Sequence, residues 1–184
     1  SHALMERELL EGLVTKTQSG FFWVKTDQGT IVSRVRGRLL EERLTTDPVA
    51  LGDRVRISVY EVREEDGVRL EGVIEEVLPR EHAFTRQMPA PEGRGAEKLP
   101  DRERVIIANP DQVVFVFACA NPEPRHRMLD RFLVIAERQS IPAIIAANKV
   151  DLCTEDEARA IFGPYAEIGY RVIYTSAVTG QGVA

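Results

Sequence analysis

The chain has 184 residues, a formal net charge of −5 at pH 7, 43% hydrophobic and 29% charged residues. That length fits one or two domains, and the composition is that of a globular protein, not of a disordered or fibrous one. No apolar run approaches the ~20 residues of a membrane-spanning helix, no signal peptide is visible, and the acidic balance argues against strong unspecific nucleic-acid binding while leaving room for a local basic patch.

Ser1-His2-Ala3-Leu4 ahead of Met5 reads as a cloning remnant, residues 1–4, outside the fold. Residues 5–78 carry the pattern of short strands. Leu9–Lys16 and Phe21–Thr26 flank the turn Gln18-Ser19-Gly20, and Thr30–Val35 follows Asp27-Gln28-Gly29. Asp53–Tyr60 alternates, with Val55, Ile57 and Val59 on one face; Glu65-Asp66-Gly67 is a hairpin signal before Val68–Val77. Short strands with Gly-rich turns predict a small closed β-barrel of the oligonucleotide/oligosaccharide-binding (OB) type, with an SH3-like barrel fitting nearly as well.

Arg34, Arg36 and Arg38 recur at period two, so a continuing strand projects all three from one face, where they could grip phosphates. The other reading is a solvated face. Phe21, Phe22 and Trp23 could stack bases, but filling the barrel is the favoured expectation. Residues 79–104, interrupted by Pro89, Pro91, Gly93, Gly95 and Pro100, read as an extended or flexible linker containing the domain boundary.

Residues 105–184 alternate strand and helix. Val105–Asn109 opens this half, and the β-branched run Val113–Ala118 reads as a central parallel strand. Arg125–Gln139 has the apolar stripe of a helix, Ile141–Ala147 reads as a buried strand, and a helix is expected from Glu155 to Phe162 with Thr154 as its cap. Tyr170–Tyr174 is the last strand. The alternation predicts right-handed crossovers and a doubly wound parallel sheet. Cys119 and Cys153 have no metal-ligand spacing and are expected as reduced, buried thiols. A hydrolase built on His82 or His126 has little support, since neither lies near a candidate nucleophile.

Asn148-Lys149-Val150-Asp151 follows the buried strand, where open α/β sheets bind ligands. A carboxylate there can accept two parallel hydrogen bonds, which guanine's ring N–H and exocyclic amine offer and adenine does not. The plain alternative is a strand-to-helix turn with Asp151 as a cap. Thr175-Ser176-Ala177 after the next strand makes the ordered set of strand, tetrad, helix, strand and Ser-Ala more specific than any piece.

The sequence contains no Gly-Lys pair, so it has no phosphate loop of the form Gly-x4-Gly-Lys-Ser/Thr. A barrel first, then base-reading segments with no phosphate loop before them, resembles the circularly permuted GTPases, specifically the ribosome small-subunit-dependent type (RsgA/YjeQ family). Further segments carry the likeness: Val77-Leu78-Pro79-Arg80, Ile107 to Val114, Pro122-Glu123-Pro124, Leu129 to Leu133, and Gly169-Tyr170-Arg171-Val172. The resemblance implies an OB domain followed by a partial, permuted P-loop-GTPase-type sheet that holds the base-recognition half. It implies guanine-site roles for Asn148, Lys149, Asp151, Ser176 and Ala177, with GTP or GDP as ligand. It also implies hydrolysis of GTP in late maturation of the small ribosomal subunit, contact of the barrel with ribosomal RNA, a cytoplasmic location, and no membrane. The expectation is an N-terminal piece, inactive by itself, whose Mg²⁺ and structural Zn²⁺ belong to the intact protein. The competing expectation is an OB module binding RNA or protein beside a non-catalytic α/β domain.

Overall fold

The computed structural model describes residues 9–37, 49–64, 67–88 and 102–183. The chain divides into two compact units, Ser1–Asn109 and Pro110–Ala184.

In the first unit, strands β1 (Leu10–Gln18), β2 (Phe21–Thr26), β3 (Gly29–Val35), β4 (Arg54–Glu64) and β5 (Gly67–Val77) close a barrel in the order β1-β2-β3-β5-β4. β4 returns antiparallel to β1, while β3 and β5 run parallel. A closed five-stranded barrel with this Greek-key order is the OB architecture, so the SH3-like alternative falls away. Alternation puts Val14, Val24, Ile31, Val55, Ile57, Ile74 and Val77 inside as one buried cluster. Each such side chain contributes roughly 1.5–3 kcal/mol on burial.

The aromatic triplet divides differently from the core expectation. Phe22 packs against the barrel core. Trp23 lies under the Lys16 ammonium, 4.4 Å from its ring centre, and Phe21 under the Arg34 guanidinium at 4.7 Å. The pleat explains this: Val24 takes the inward place, so Phe21 and Trp23 share the opposite face of β2.

The reading of residues 79–104 as a linker is corrected. Strands β6 (Ala83–Met88) and β7 (Arg102–Ala108) pair antiparallel as a two-stranded ribbon. Residues 89–101 lie outside the described set. Val105–Asn109 therefore does not open the parallel sheet. The Ala108 N–H donates to the Leu51 carbonyl at 2.7 Å and the Asn109 amide to the Gly52 carbonyl at 3.1 Å, tying β7 to the barrel's own unit. Gly52, at φ +84°, is required there because a Cβ would meet the Ala108 oxygen at 2.0 Å.

In the second unit, β8 (Val113–Ala118), β9 (Ala143–Asn148) and β10 (Arg171–Tyr174) form a parallel sheet ordered β10-β9-β8. Helices α1 (His126–Arg138) and α2 (Glu155–Glu167) make the two crossovers. Phe132 of α1 stacks on Phe115 of β8, and the Tyr165 hydroxyl of α2 donates to Asp130 of α1 at 2.8 Å. Both helices thus cover the same face. On the other face Val116 is 62% exposed and Val114 half exposed, so the doubly wound expectation is not met among the described residues. Stepwise strand order with like-handed crossovers lays successive helices on one side.

Helix α2 runs past its expected end at Phe162. Buried Phe162 and Tyr165 hold its last turns against the unit's core, and Pro164 is accommodated inside it. Its start matches expectation: Thr154 and Glu157 form a reciprocal capping box. Hydrogen bonding from Thr154, its backbone N–H first and then its side chain, holds the Glu157 carboxyl below its ordinary value.

Candidate functional site: two loops at the sheet's carboxyl edge

β9 is the central strand, with Ile145, Ala146 and Ala147 buried. Its end delivers Asn148, after which Lys149 takes a left-handed conformation (φ 63°, ψ 37°) that turns the chain sharply. A short 3-10 turn, Val150–Leu152, carries Asp151 before the Thr154 cap begins α2. The neighbouring strand β10 pairs Tyr174 with Ala147, so Thr175 and Ser176 emerge beside the tetrad.

Hydrogen bonds knit the two loops. The Thr175 N–H donates to the Ala147 carbonyl at 2.8 Å, and the Val150 N–H to the Thr175 carbonyl at 3.2 Å. The Thr175 hydroxyl donates to Asn148 Oδ1 at 3.2 Å, which leaves the Asn148 amide nitrogen as the group able to donate outward. Ser176, fully buried, donates its hydroxyl to Asp151 Oδ1 at 2.5 Å and accepts the Thr179 N–H at 3.2 Å. Asp151 itself is exposed, and among the described residues its second oxygen takes no hydrogen bond. Ala177 is exposed in the following turn, and among the described residues its N–H donates to no carbonyl. The Lys149 ammonium donates to the Asn121 carbonyl at the end of the segment after β8.

The structure therefore brings Asn148, Lys149, Asp151, Ser176 and Ala177 to one edge. It combines a carboxylate oriented by a buried hydroxyl, an outward amide and an unspent backbone N–H. Such a set can bind a planar ligand that offers adjacent N–H donors and one acceptor.

Three contributors went unassigned at the sequence level. Thr175 orients Asn148, and its place just before Ser-Ala was the available signal. Asn121 acts through its main-chain carbonyl, which no residue type announces. Gly182, at φ +64°, lets the 175–183 loop fold back, since a Cβ would stand 2.3 Å from the Tyr174 oxygen.

The basic triplet lies in the other unit. Arg34 is exposed over Phe21. Arg36 grips Glu75 with two hydrogen bonds, at 2.6 and 2.7 Å. Arg38 lies outside the described residues. His126 stacks on Tyr165 and is 3.3 Å from its hydroxyl, a helix-to-helix contact. Cys119 is buried and Cys153 partly so; burial, with Cys153 close by, pushes the Cys119 thiol up to about 12. Among the described residues no cluster of His, Cys, Asp or Glu could hold a metal, so the Mg²⁺ and Zn²⁺ of the resemblance have no ligand set there.

The family model described as RsgA GTPase matches residues 77–184, and that described as RsgA N-terminal domain matches residues 11–68. The chain belongs to the RsgA GTPase family. A relative from Gemmatimonas aurantiaca, named small ribosomal subunit biogenesis GTPase RsgA, is 40% identical over 174 residues, covering 94% of this chain and 52% of its own length. The RsgA of Caldanaerobacter subterraneus subsp. tengcongensis is 30% identical over 176 residues, covering 96% of this chain and 50% of its own. The crystal structure of YjeQ from Thermotoga maritima superposes with a TM-score of 0.62 at 29% identity, over 96% of this chain and 55% of that one. YloQ, described as a circularly permuted GTPase, gives 0.56 at 28% identity over 97% and 55%. The chain spans about half the length of the curated RsgA relatives it matches.

Proposed function

We propose that the intact protein is a GTPase acting in maturation of the small ribosomal subunit, and that the loop pair at the end of β9 and β10 is its guanine reader. Asp151 accepts guanine's ring N–H and exocyclic amine, the Asn148 amide and the Ala177 N–H donate to the purine's acceptors, and the Lys149 stem lies along the base. Ser176 orients Asp151 and Thr175 orients Asn148. The observation that carries the reading is the Ser176–Asp151 hydrogen bond, which joins two segments 25 positions apart and holds an exposed carboxylate in place.

The phosphates must be held by residues other than these, because the sequence has no Gly-Lys pair. The 184 residues alone select the base and do not catalyse, and no step is assigned to Mg²⁺ or Zn²⁺. Ribosomal RNA is the partner assigned to the barrel, with Arg34, Arg36 and Arg38 as candidate contacts. A cytoplasmic location goes with that role; among the described residues no helix is long and apolar enough to cross a membrane.

Asp151→Asn in the intact protein tests the site. The amide presents a donor where guanine presents one too, whereas xanthine offers an acceptor there. Competition binding should show guanine preference reduced by roughly 1–3 kcal/mol and shifted toward xanthine nucleotides. Unchanged guanine preference would remove Asp151 from the site.

A further inference from the structure

We propose that Cys119 and Cys153 form an oxidation site, a dithiol beside the tetrad turn that closes to a disulfide by exchange with a small-molecule disulfide and draws Asp151 away from its reading position. It rests on the reading of that edge as guanine-binding.

The chain's two cysteines are far apart in sequence, and strand pairing brings them together. Ala118 of β8 pairs with Asn148 of β9, and the Cys119 N–H donates to the Asn148 carbonyl at 2.8 Å. The 3-10 turn Val150–Leu152 then folds the chain back, with the Leu152 N–H on the Lys149 carbonyl at 3.0 Å, and sets Cys153 beside Cys119. The Cys153 thiol donates to the Val150 carbonyl at 3.9 Å, and the Cys119 thiol hydrogen-bonds Cys153. Both are free thiols. Adjoining thiols can bridge without large backbone movement, and in a reducing compartment such pairs bridge transiently, when oxidant rises.

The pair is asymmetric. Cys119 is 4% exposed, and burial first, then neighbouring Cys153, holds its thiol up at about 12; Cys153 is partly exposed. Cys153 is therefore the entering group. Its thiolate attacks one sulfur of the small disulfide, forms a mixed disulfide and releases one small thiol. Capping Cys153 removes its share of the hold on the Cys119 proton, so Cys119 ionises more readily. The Cys119 thiolate then attacks the Cys153 sulfur, breaks the mixed disulfide and releases the second small thiol. Two electrons pass from the protein dithiol to the small disulfide, and the two thiol protons leave on the released thiols.

The consequence falls on the tetrad. A disulfide holds its sulfurs at about 2.05 Å, well inside non-bonded contact. Cys119 is fixed by burial and by its bond to Asn148, so the movement is taken up by Cys153 and by the turn Val150–Leu152, in which no residue is buried. Asp151 rides on that turn, and its bond to Ser176 is the one that orients it.

The 184-residue chain is treated with glutathione disulfide and read by intact mass and peptide mapping. The expected product is one Cys119–Cys153 bridge, two hydrogens lighter, which dithiothreitol reverses. Cys119→Ala should trap the glutathione adduct on Cys153, and Cys153→Ser should leave Cys119 unmodified; the second variant suffices if the first does not fold. In the intact protein, competition of GDP against ADP should show guanine preference about tenfold lower after oxidation, the loss of one bidentate base contact, and restored by dithiothreitol. Cys153→Ser should keep its preference through the same treatment, which separates this pair from any other cysteine of the intact protein. A glutathione adduct that persists on wild-type Cys153 overturns the bridge, as does a chain that stays fully reduced. A bridge with unchanged preference overturns the effect on the edge where Asp151→Asn does lower guanine preference. Where Asp151→Asn has no effect either, the guanine reading is what fails, and the oxidation site alone stands.

Discussion

Asp53 has no exposed surface, and a buried carboxylate persists only where its charge is met. Arg80 meets it with a two-pronged contact, Nε to Oδ1 at 2.7 Å and a terminal nitrogen to Oδ2 at 2.8 Å, and the Ala50 N–H adds a third bond at 2.7 Å. The backbone of Asp53 is shared as well: its carbonyl accepts the Val14 N–H of β1 at 2.9 Å. Removing one partner leaves an uncompensated buried charge, which costs about 3–5 kcal/mol. Arg80→Leu should lower the barrel's unfolding free energy, read by urea denaturation, by about 3–5 kcal/mol; a change below about 1 kcal/mol would mean that water replaces the guanidinium. At this scale the loops proposed to read guanine were legible because their chemistry sits in side chains: Asp151, Ser176 and Asn148 each announce a donor or acceptor. The Asp53–Arg80 pair was not, since partners 27 positions apart meet only through the closure of the barrel.

Helices α1 and α2 are held together through Tyr165. Its hydroxyl donates to Asp130, and burial first, then that carboxylate, pushes the phenol up to about 12 from its ordinary 10.0. A group whose value is raised on folding stabilises fully below its unfolded value and loses that contribution as pH rises through the folded one. Wild-type stability should therefore fall between pH 10.0 and about 12, with Tyr170 and Tyr174 shifted the same way. Tyr165→Phe should cost about 0.5–1.5 kcal/mol at neutral pH and make that alkaline fall shallower, read by urea unfolding across the range. An equally steep fall in the variant would place the titrating group elsewhere. Elements also show where sequence patterns stop informing. Alternation located the barrel strands and the apolar stripe located α1. Residues 83–88 gave no such signal, because β6 is a ribbon strand in which Phe84 is buried while Arg86 is exposed. The helix expected to stop at Phe162 continues through Gly163-Pro164, because burial of Phe162 and Tyr165 outweighs the missing hydrogen bond of the proline.

Across the whole molecule, the two units differ in kind: a closed barrel with cationic outer features, and a three-stranded sheet carrying the edge proposed to read a base. Strand positions within each unit followed largely from hydrophobic period, whereas the division between the units at Asn109 depends on main-chain bonds from Ala108 to Leu51 and from Asn109 to His82 that no residue pattern encodes. The proposed base-reading edge sets what these residues can do by themselves. A micromolar complex requires about 8 kcal/mol of binding free energy. One bidentate base contact supplies about 1–3 kcal/mol of discrimination, and in GTPases most of the remainder comes from the phosphate loop and its metal. Calorimetric titration of the 184-residue chain with GDP should therefore give little or no heat at sub-millimolar nucleotide, while the intact protein binds. Micromolar affinity in the 184 residues would mean that some cationic group among them already holds the phosphates, and the guanine edge would then be one part of a complete site.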